Sequence, residues 1–279
     1  MSLFVTSLNS GSNGNCYYIG NSTDAVLVDV GLTCRETEKR MAALGLSMDL
    51  IRAIFISHEH TDHIKGLTAI AEKYDLPVYI TSKTAGNSFI SKNRLRPFKA
   101  EDEIQIEGLT IVPFTKFHDA ADPHSFIIKH NNITVGVFTD IGRPCASLKK
   151  YFSLCHAAFL ESNYDIDLLE NGAYPIFLKN RIRGGMGHLS NNQALEVFLQ
   201  HRPSFLTHLF LSHLSKDNNC PEKVKELFRP HARGTEIIIA SRYSPTPVYN
   251  ICGTAPRQYF HPNKRLARKK VAENQLSFF

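Results

Sequence analysis

No two of the six cysteines stand close enough to form a CxxC pair: Cys16, Cys34, Cys145, Cys155, Cys220 and Cys252 are scattered singly. Such spacing argues against a disulfide framework and against a structural zinc knuckle, and a reducing cytoplasm is the expected location. No stretch approaches the ~18 consecutive apolar residues of a membrane-spanning helix, so no membrane association is expected. The opening MSLFVTSLNSGSNGN lacks the basic start and apolar run of a secretory signal. Internal repeats of fixed period and low-complexity blocks are also missing. Neither sign of charge dominates: 32 Lys and Arg stand against 26 Asp and Glu, a formal net charge of +6. That mild basic excess suits an anionic partner without demanding one.

What is present is histidine. Thirteen in 279 residues is more than packing needs, and it directs the search to metal ligands. With 43% hydrophobic residues, the length is ample for one large domain with a buried core. Apolar runs bounded by turn residues predict strands at 4–8, 16–19, 25–29, 53–57, 77–81, 103–106, 109–114, 125–129, 134–139, 157–160, 206–212 and 236–240. Helices are expected at 33–44, from 64 to about 74, and around 191–200, the last capped by Ser190 and Asn191. Many strands with interspersed helices suggest two sheets flanked by helices.

Four potential ligands lie within six residues: His58, His60, Asp62 and His63, in HEHTDH. They follow the buried-type strand AIFIS. Imidazole and carboxylate are the donors that borderline and hard divalent ions take. A loop leaving a rigid strand can turn such closely spaced side chains inward, which a regular helix could not do for all four. One ion needs three or four donors, so the cluster reads as shared between two ions, with further ligands from elsewhere. His118, Asp140 and His213 each stand where an apolar run stops. A carboxylate such as Asp140 can bridge two cations, and an imidazole cannot. Taken singly, each of the three would serve as an ordinary hydrogen-bonded polar residue; their shared placement is what groups them.

The series VLVDVG, ISHEHTDHIKG, His118, FTDIG and LSHLS resembles the five-motif series of the metallo-β-lactamase fold superfamily. The resemblance implies an α/β fold, a four-layer αββα sandwich, over residues 1–261, with a basic tail at 262–279. It implies His58, His60 and His118 on one divalent ion and Asp62, His63 and His213 on a second, with Asp140 bridging and Asp29 supporting the site. Imidazole suits Zn2+, and the carboxylates leave Mn2+ open. Within the superfamily, SLNSGSNGNCYYI, FHDAADPHSF, LESNYD, GHLSN and LSHLSKDNN resemble the YycJ/WalJ-like nuclease branch. That resemblance implies a phosphodiesterase acting on nucleic acid, with DNA ahead of RNA, as a 5′-3′ exonuclease in replication or repair. It makes Asp62, His188 and Glu161 the expected catalytic residues. His188 would contact the scissile phosphate or protonate the leaving oxygen, with Glu161 tuning it. The alternative within the same fold is hydrolysis of a small ester, thioester or lactone, which would not need His188 or a basic surface.

Lys179, Arg181 and Arg183 precede His188, and Arg229, Arg233, Arg242 and Arg257 lie further on; phosphate contacts by such groups would be salt-dependent. Each also reads as part of a solvated face. Tyr164 and Tyr174 are candidates for base stacking, with packing as the plainer role. Past residue 262 the composition turns basic, with Lys264, Arg265, Arg268, Lys269 and Lys270. The chain then ends on Gln275, Leu276, Ser277, Phe278 and Phe279, which resembles the short peptide by which bacterial replication and repair proteins dock onto the sliding clamp. The competing reading is a terminal segment folded back onto its own domain.

Overall fold

The computed structural model describes residues 2–86 and 90–253. The expected boundary near residue 261, the basic tail and the terminal peptide lie outside the described residues.

Among the described residues, fourteen strands form two seven-stranded sheets. The first contains β1 (Ser2–Asn9), β2 (Cys16–Gly20), β3 (Ala25–Val28), β4 (Ile51–Phe55), β5 (Val78–Ile80) and β6 (Leu95–Pro97), with the late strand β14 (Tyr249–Cys252) added beside β1. The second runs β13-β12-β11-β10-β9-β8-β7. Its strands are β7 (Ile104–Ile106), β8 (Leu109–Thr115), β9 (His124–His130), β10 (Ile133–Phe138), β11 (Ala157–Glu161), β12 (His208–Ser212) and β13 (Glu236–Ile239).

The apolar runs do not alternate with polar residues because both faces of these strands are covered. In β3, Val26 and Val28 face the partner sheet while Ala25 and Leu27 face helices. In β11, Phe159 points between the sheets, and Ala158 and Leu160 point to the opposite helical layer. The inter-sheet core is centred on Tyr17, Phe159 and Phe210, with Phe159 and Phe210 stacked at 4.4 Å. Helices Cys34–Ala43 and Leu67–Lys73 cover the first sheet, and Ala146–Phe152, Asn191–His201 and Pro221–Phe228 cover the second. The expected αββα sandwich is thus the observed architecture.

Strand direction positions the site. β3 and β4 run parallel, so both end at one edge of the first sheet. β10, β11 and β12 are mutually parallel. β8 is antiparallel to β9, and β9 to β10, so β8 runs with them as well. The carboxyl ends of these strands therefore share one edge, the usual location of ligand sites in sheets of this kind.

Two details differ from the sequence reading. The helix expected from residue 64 is split into Thr61–Ile64 and Leu67–Lys73, with Gly66 between them. Asp62 and His63 consequently sit on a helical turn and not in a loop. Strands β6 and β14 and the helices Ala146–Phe152, Ile166–Asn171, Ile176–Arg183 and Pro221–Phe228 were not foreseen. β6 carries Pro97 and lies at the sheet edge, where a missing N–H is tolerated.

Candidate metal centre

The site lies where the two sheets' carboxyl edges meet. From the first sheet, the chain leaves β4 through Ser57 and His58, crosses His60, and enters the single turn Thr61–Ile64. Gly31 makes that turn possible. A Cβ there would lie 1.7 Å from the Asp62 carbonyl oxygen and 2.5 Å from the Asn15 nitrogen. From the second sheet come His118 beyond β8, Asp140 beyond β10, Glu161 at the end of β11 and His213 beyond β12.

Three of the strand-end residues, Asp29, Asp140 and His213, have φ of 59°, 53° and 56°. This left-handed backbone is uncommon for any residue with a side chain, though Asp and His tolerate it better than most. The conformation costs about 1–3 kcal/mol per residue and clusters at functional sites. It turns each chain sharply out of its strand at the residue that closes it.

The imidazoles are oriented by fixed acceptors. Carboxylate and carbonyl oxygens can only accept, so the ring nitrogen facing one of them carries the proton. His63 Nδ1 faces Asp29 Oδ2 at 2.8 Å, His118 Nδ1 faces the Gly187 carbonyl at 2.9 Å, and His213 Nδ1 faces Glu161 Oε1 at 2.9 Å. Asp29 also accepts from the Ser57 amide and hydroxyl, and that hydroxyl lies 2.9 Å from His58 Nδ1. In each case Nδ1 is the nitrogen held from outside, and Nε2 is the one turned toward the other donors.

The donor atoms that result fall into four sets within 4.8 Å of one another: His58, His60 and His118; Asp62, His63 and His213; His58, His63 and Asp140; and Asp140, Glu161, His188 and His213. Asp140 stands between the first two. Its Oδ2 is 3.1 Å from His63 Nε2 and its Oδ1 is 3.8 Å from His118 Nε2. Among the described residues, His118 Nε2, His213 Nε2 and Asp140 Oδ2 are buried and find no hydrogen-bond partner. Orphaned polar atoms of this kind are costly unless something else satisfies them. Three convergent orphans, in a donor set of imidazole and carboxylate, fit divalent metal ions.

Glu161 has a larger structural part than an acid tuning one histidine. It is fully buried, and its Oε2 accepts from the amides of Ile141 and Leu189. Its Oε1 meets both His213 Nδ1 and His188 Nδ1, the latter at 2.8 Å. His188 keeps 19% of its side chain exposed, so it sits at the mouth, with Nδ1 fixed from behind.

Burial alone would raise the Glu161 carboxyl, but the neighbouring His188 and His213 bring it down to about 2. Burial would likewise depress His213, and Asp140, Asp62 and Glu161 around it reverse that, raising it to about 10. His118 is pushed down to about 4, chiefly by burial.

Several contributors were invisible in the sequence. Asn15 donates to Asp62 Oδ2 at 3.2 Å and lies 3.1 Å from His63 Nε2. Its only signal is its place in the turn-rich loop after β1. Lys116 is buried behind the centre and donates to the Thr139 carbonyl at 2.7 Å; burial pushes its ammonium below the usual lysine range. A lysine inside the apolar run TIVPFTKF was the available hint. Asp119 Oδ1 lies 3.4 Å from His118 Nε2, and Asp119 Oδ2 accepts from Arg181.

Residues 10–119 match the family model described as the metallo-beta-lactamase superfamily. Exodeoxyribonuclease YycJ of Bacillus anthracis is 35% identical over 80% of this chain and 86% of its own length. The chain belongs to the YycJ-like branch of the metallo-β-lactamase superfamily. Exodeoxyribonuclease WalJ of Streptococcus pneumoniae is 29% identical over 77% of this chain and 82% of its own. Among solved structures, the metallo-beta-lactamase fold protein YhfI from Bacillus subtilis superimposes with a TM-score of 0.69. That match has 16% identity and covers 90% of this chain and all of that one, a likeness of fold. The YycJ-like chain is accordingly a metal-dependent hydrolase. Among the described residues, no helix is long and apolar enough to cross a membrane.

Proposed function

We propose that this YycJ-like chain is a dinuclear metal phosphodiesterase that degrades DNA from its 5′ end, in replication or repair. His58, His60 and His118 would hold one ion, Asp62, His63 and His213 the other, with Asp140 between them. The observation that carries the reading is the pairing of two donor sets about Asp140 with a half-open His188 braced by Glu161. The relatives named as exodeoxyribonucleases support DNA as the substrate. Zinc or manganese suits a set of imidazoles and carboxylates.

When bound, a pair of divalent ions lowers the pKa of a water and polarises a phosphoryl oxygen. The chain's own residues do the rest. Glu161 fixes His188 Nδ1, so the opposite nitrogen faces the mouth and can give a proton to a leaving oxygen or a hydrogen bond to the phosphate. Because Glu161 also holds His213, it couples the position of His188 to one metal ligand. Asp62 is bound on one side by Asn15, which restricts where its carboxylate can point. The helix Asn191–His201 begins just beyond His188 with a capping box between Ser190 and Gln193, and its N-terminus favours an anion nearby.

Gln275, Leu276, Ser277, Phe278 and Phe279 are proposed to dock the enzyme on a sliding clamp, and a reducing cytoplasm agrees with the six free cysteines. Binding of purified clamp should disappear in a Leu276→Ala/Phe278→Ala variant; equal binding rejects the docking role. For the activity, metal-loaded protein is incubated with end-labelled single- and double-stranded DNA and RNA, beside a generic phosphodiester and a thioester. DNA should be shortened from its 5′ end, and His60→Ala should abolish the reaction. Cleavage of the thioester alone rejects the reading.

A further inference from the structure

The basic residues nearest His188 in sequence are already engaged. Lys179 donates to the Glu170 carbonyl, Arg183 pairs with Glu170, and Arg181 pairs with Asp119 at 2.5 Å. A different part of the rim carries cations that no carboxylate of the described residues neutralises. Two adjoining concavities, of about 280 and 330 Å³, open between the segment after His213 and the segment after β13. Lys216, Arg242 and Tyr243 line both.

Lys216 makes no ion pair with a described residue. One Nη of Arg242 donates to the Ser12 hydroxyl at 2.9 Å, and the other is buried without a hydrogen-bond partner among the described residues. The acid at this surface, Asp217, accepts from the Tyr174 hydroxyl at 2.9 Å. The Tyr243 side of the groove is rigid at the backbone and open at the ring. Its amide donates to Ser241, its carbonyl accepts from Arg40, and the residue is 74% exposed.

The groove is built into the metal centre. Ser10 lines it, and the Ser10 hydroxyl accepts from the His213 amide at 2.7 Å. Lys216 follows His213 by three residues, so their Cα atoms are at most about 10 Å apart. Along one DNA strand successive phosphates recur about every 3.4 Å of axis. A strand with one phosphate at His213 therefore brings the next phosphates within reach of Lys216 and Arg242.

We infer that this groove is a nucleotide subsite of the YycJ-like enzyme, resting on the reading that its substrate is a nucleic acid. Lys216 and Arg242 take a phosphate that flanks the one being cleaved, and the Tyr243 ring carries its base. Aromatic rings accept any base face, so the subsite is sequence-tolerant. The phosphate chemistry is shared by a terminal phosphomonoester and an internal phosphodiester.

The test uses the full chain, metal-loaded, with Lys216→Ala/Arg242→Gln, Tyr243→Ala and Tyr243→Phe variants. Rates are measured on oligonucleotides with phosphorylated or hydroxyl 5′ ends, and on a generic small phosphodiester. The double variant should raise KM for oligonucleotides about tenfold or more, and that rise should exceed any rise on the small diester by a similar factor. Its salt dependence of binding should fall by about 0.7–0.9 in log–log slope for each phosphate that the variant no longer neutralises. Tyr243→Ala should raise KM, and Tyr243→Phe should restore it. An effect confined to 5′-phosphorylated ends assigns a terminal phosphate, and an equal effect on both assigns an internal one. Parallel effects on oligonucleotide and small diester, or none on either, overturn the subsite. Should the wild-type chain cleave no nucleic acid, the proposed function fails by itself. Equilibrium binding of a labelled oligonucleotide then judges the subsite: weaker binding by the double variant supports it, and equal binding, or none by the wild type, overturns it.

Discussion

The two sheets build the proposed metal centre by different means. The first delivers His58, His60, Asp62 and His63 from one continuous segment, supported by Asp29 and Asn15. The second delivers His118, Asp140, Glu161 and His213 one at a time, each from a separate strand end. The first half depends on a local turn that must fold back tightly on Gly31. The second depends on four parallel strand ends being in register, and Glu161 ties His213 to His188. A continuous segment can fail at a single backbone contact, whereas a dispersed set fails at whatever links its members.

The largest expected effect tests whether the halves are equal partners. His60→Ala and His213→Ala each remove one proposed ligand, one from each sheet. Both should lower kcat/KM by about three decades, the several kcal/mol that a bound metal contributes to charge stabilisation. Steady-state rates on end-labelled DNA decide it, and near-wild-type rates in either variant would break the symmetry.

The supporting carboxylates sharpen the contrast. Glu161→Gln disturbs both His188 and His213, while Asp29→Asn disturbs His63 and the Ser57 link to His58. Each should weaken metal affinity about 10–100-fold. Only Glu161→Gln should also lower kcat at saturating metal, because His188 belongs to its network. Metal titration followed by activity separates the two, and equal behaviour would remove the proposed role of His188.

Gly31→Ala probes the tight turn of the first half. The added Cβ must displace the Asp62 backbone, an overpacking that costs about 1–3 kcal/mol. Tm should fall by several degrees, with weaker metal binding alongside, as read by thermal unfolding with and without metal. A variant with unchanged Tm would mean that the turn yields freely. The smallest effect is expected for Arg181→Ala. It breaks a pair with Asp119 in which the arginine is 57% exposed, and such pairs contribute about 0–1 kcal/mol. A Tm shift above a few degrees would show that Asp119 depends on it to hold its place near His118.

The same division runs through what could be read from the residues alone. Apolar runs bounded by Gly and Asn marked most strands, because burial on both faces makes the strand signal continuous. HEHTDH was legible because its donors are neighbours in sequence, and Ser190 because helix caps are local. His118, Asp140 and His213 showed only as polar residues closing apolar runs, and a strand end says nothing by itself about which other strand ends stand beside it. That was decided by the parallel course of β8, β10, β11 and β12, with the left-handed turns at Asp140 and His213. The reach of Lys116, Asn15 and Glu161 depends on burial, which pattern does not reveal for isolated polar residues. The cationic rim shows the limit most clearly. Lys179, Arg181 and Arg183 looked available in sequence and are paired in space, whereas Lys216 and Arg242, far apart in sequence, share one groove. Charge count is a property of the chain, but whether a charge is free is settled only by what folds against it.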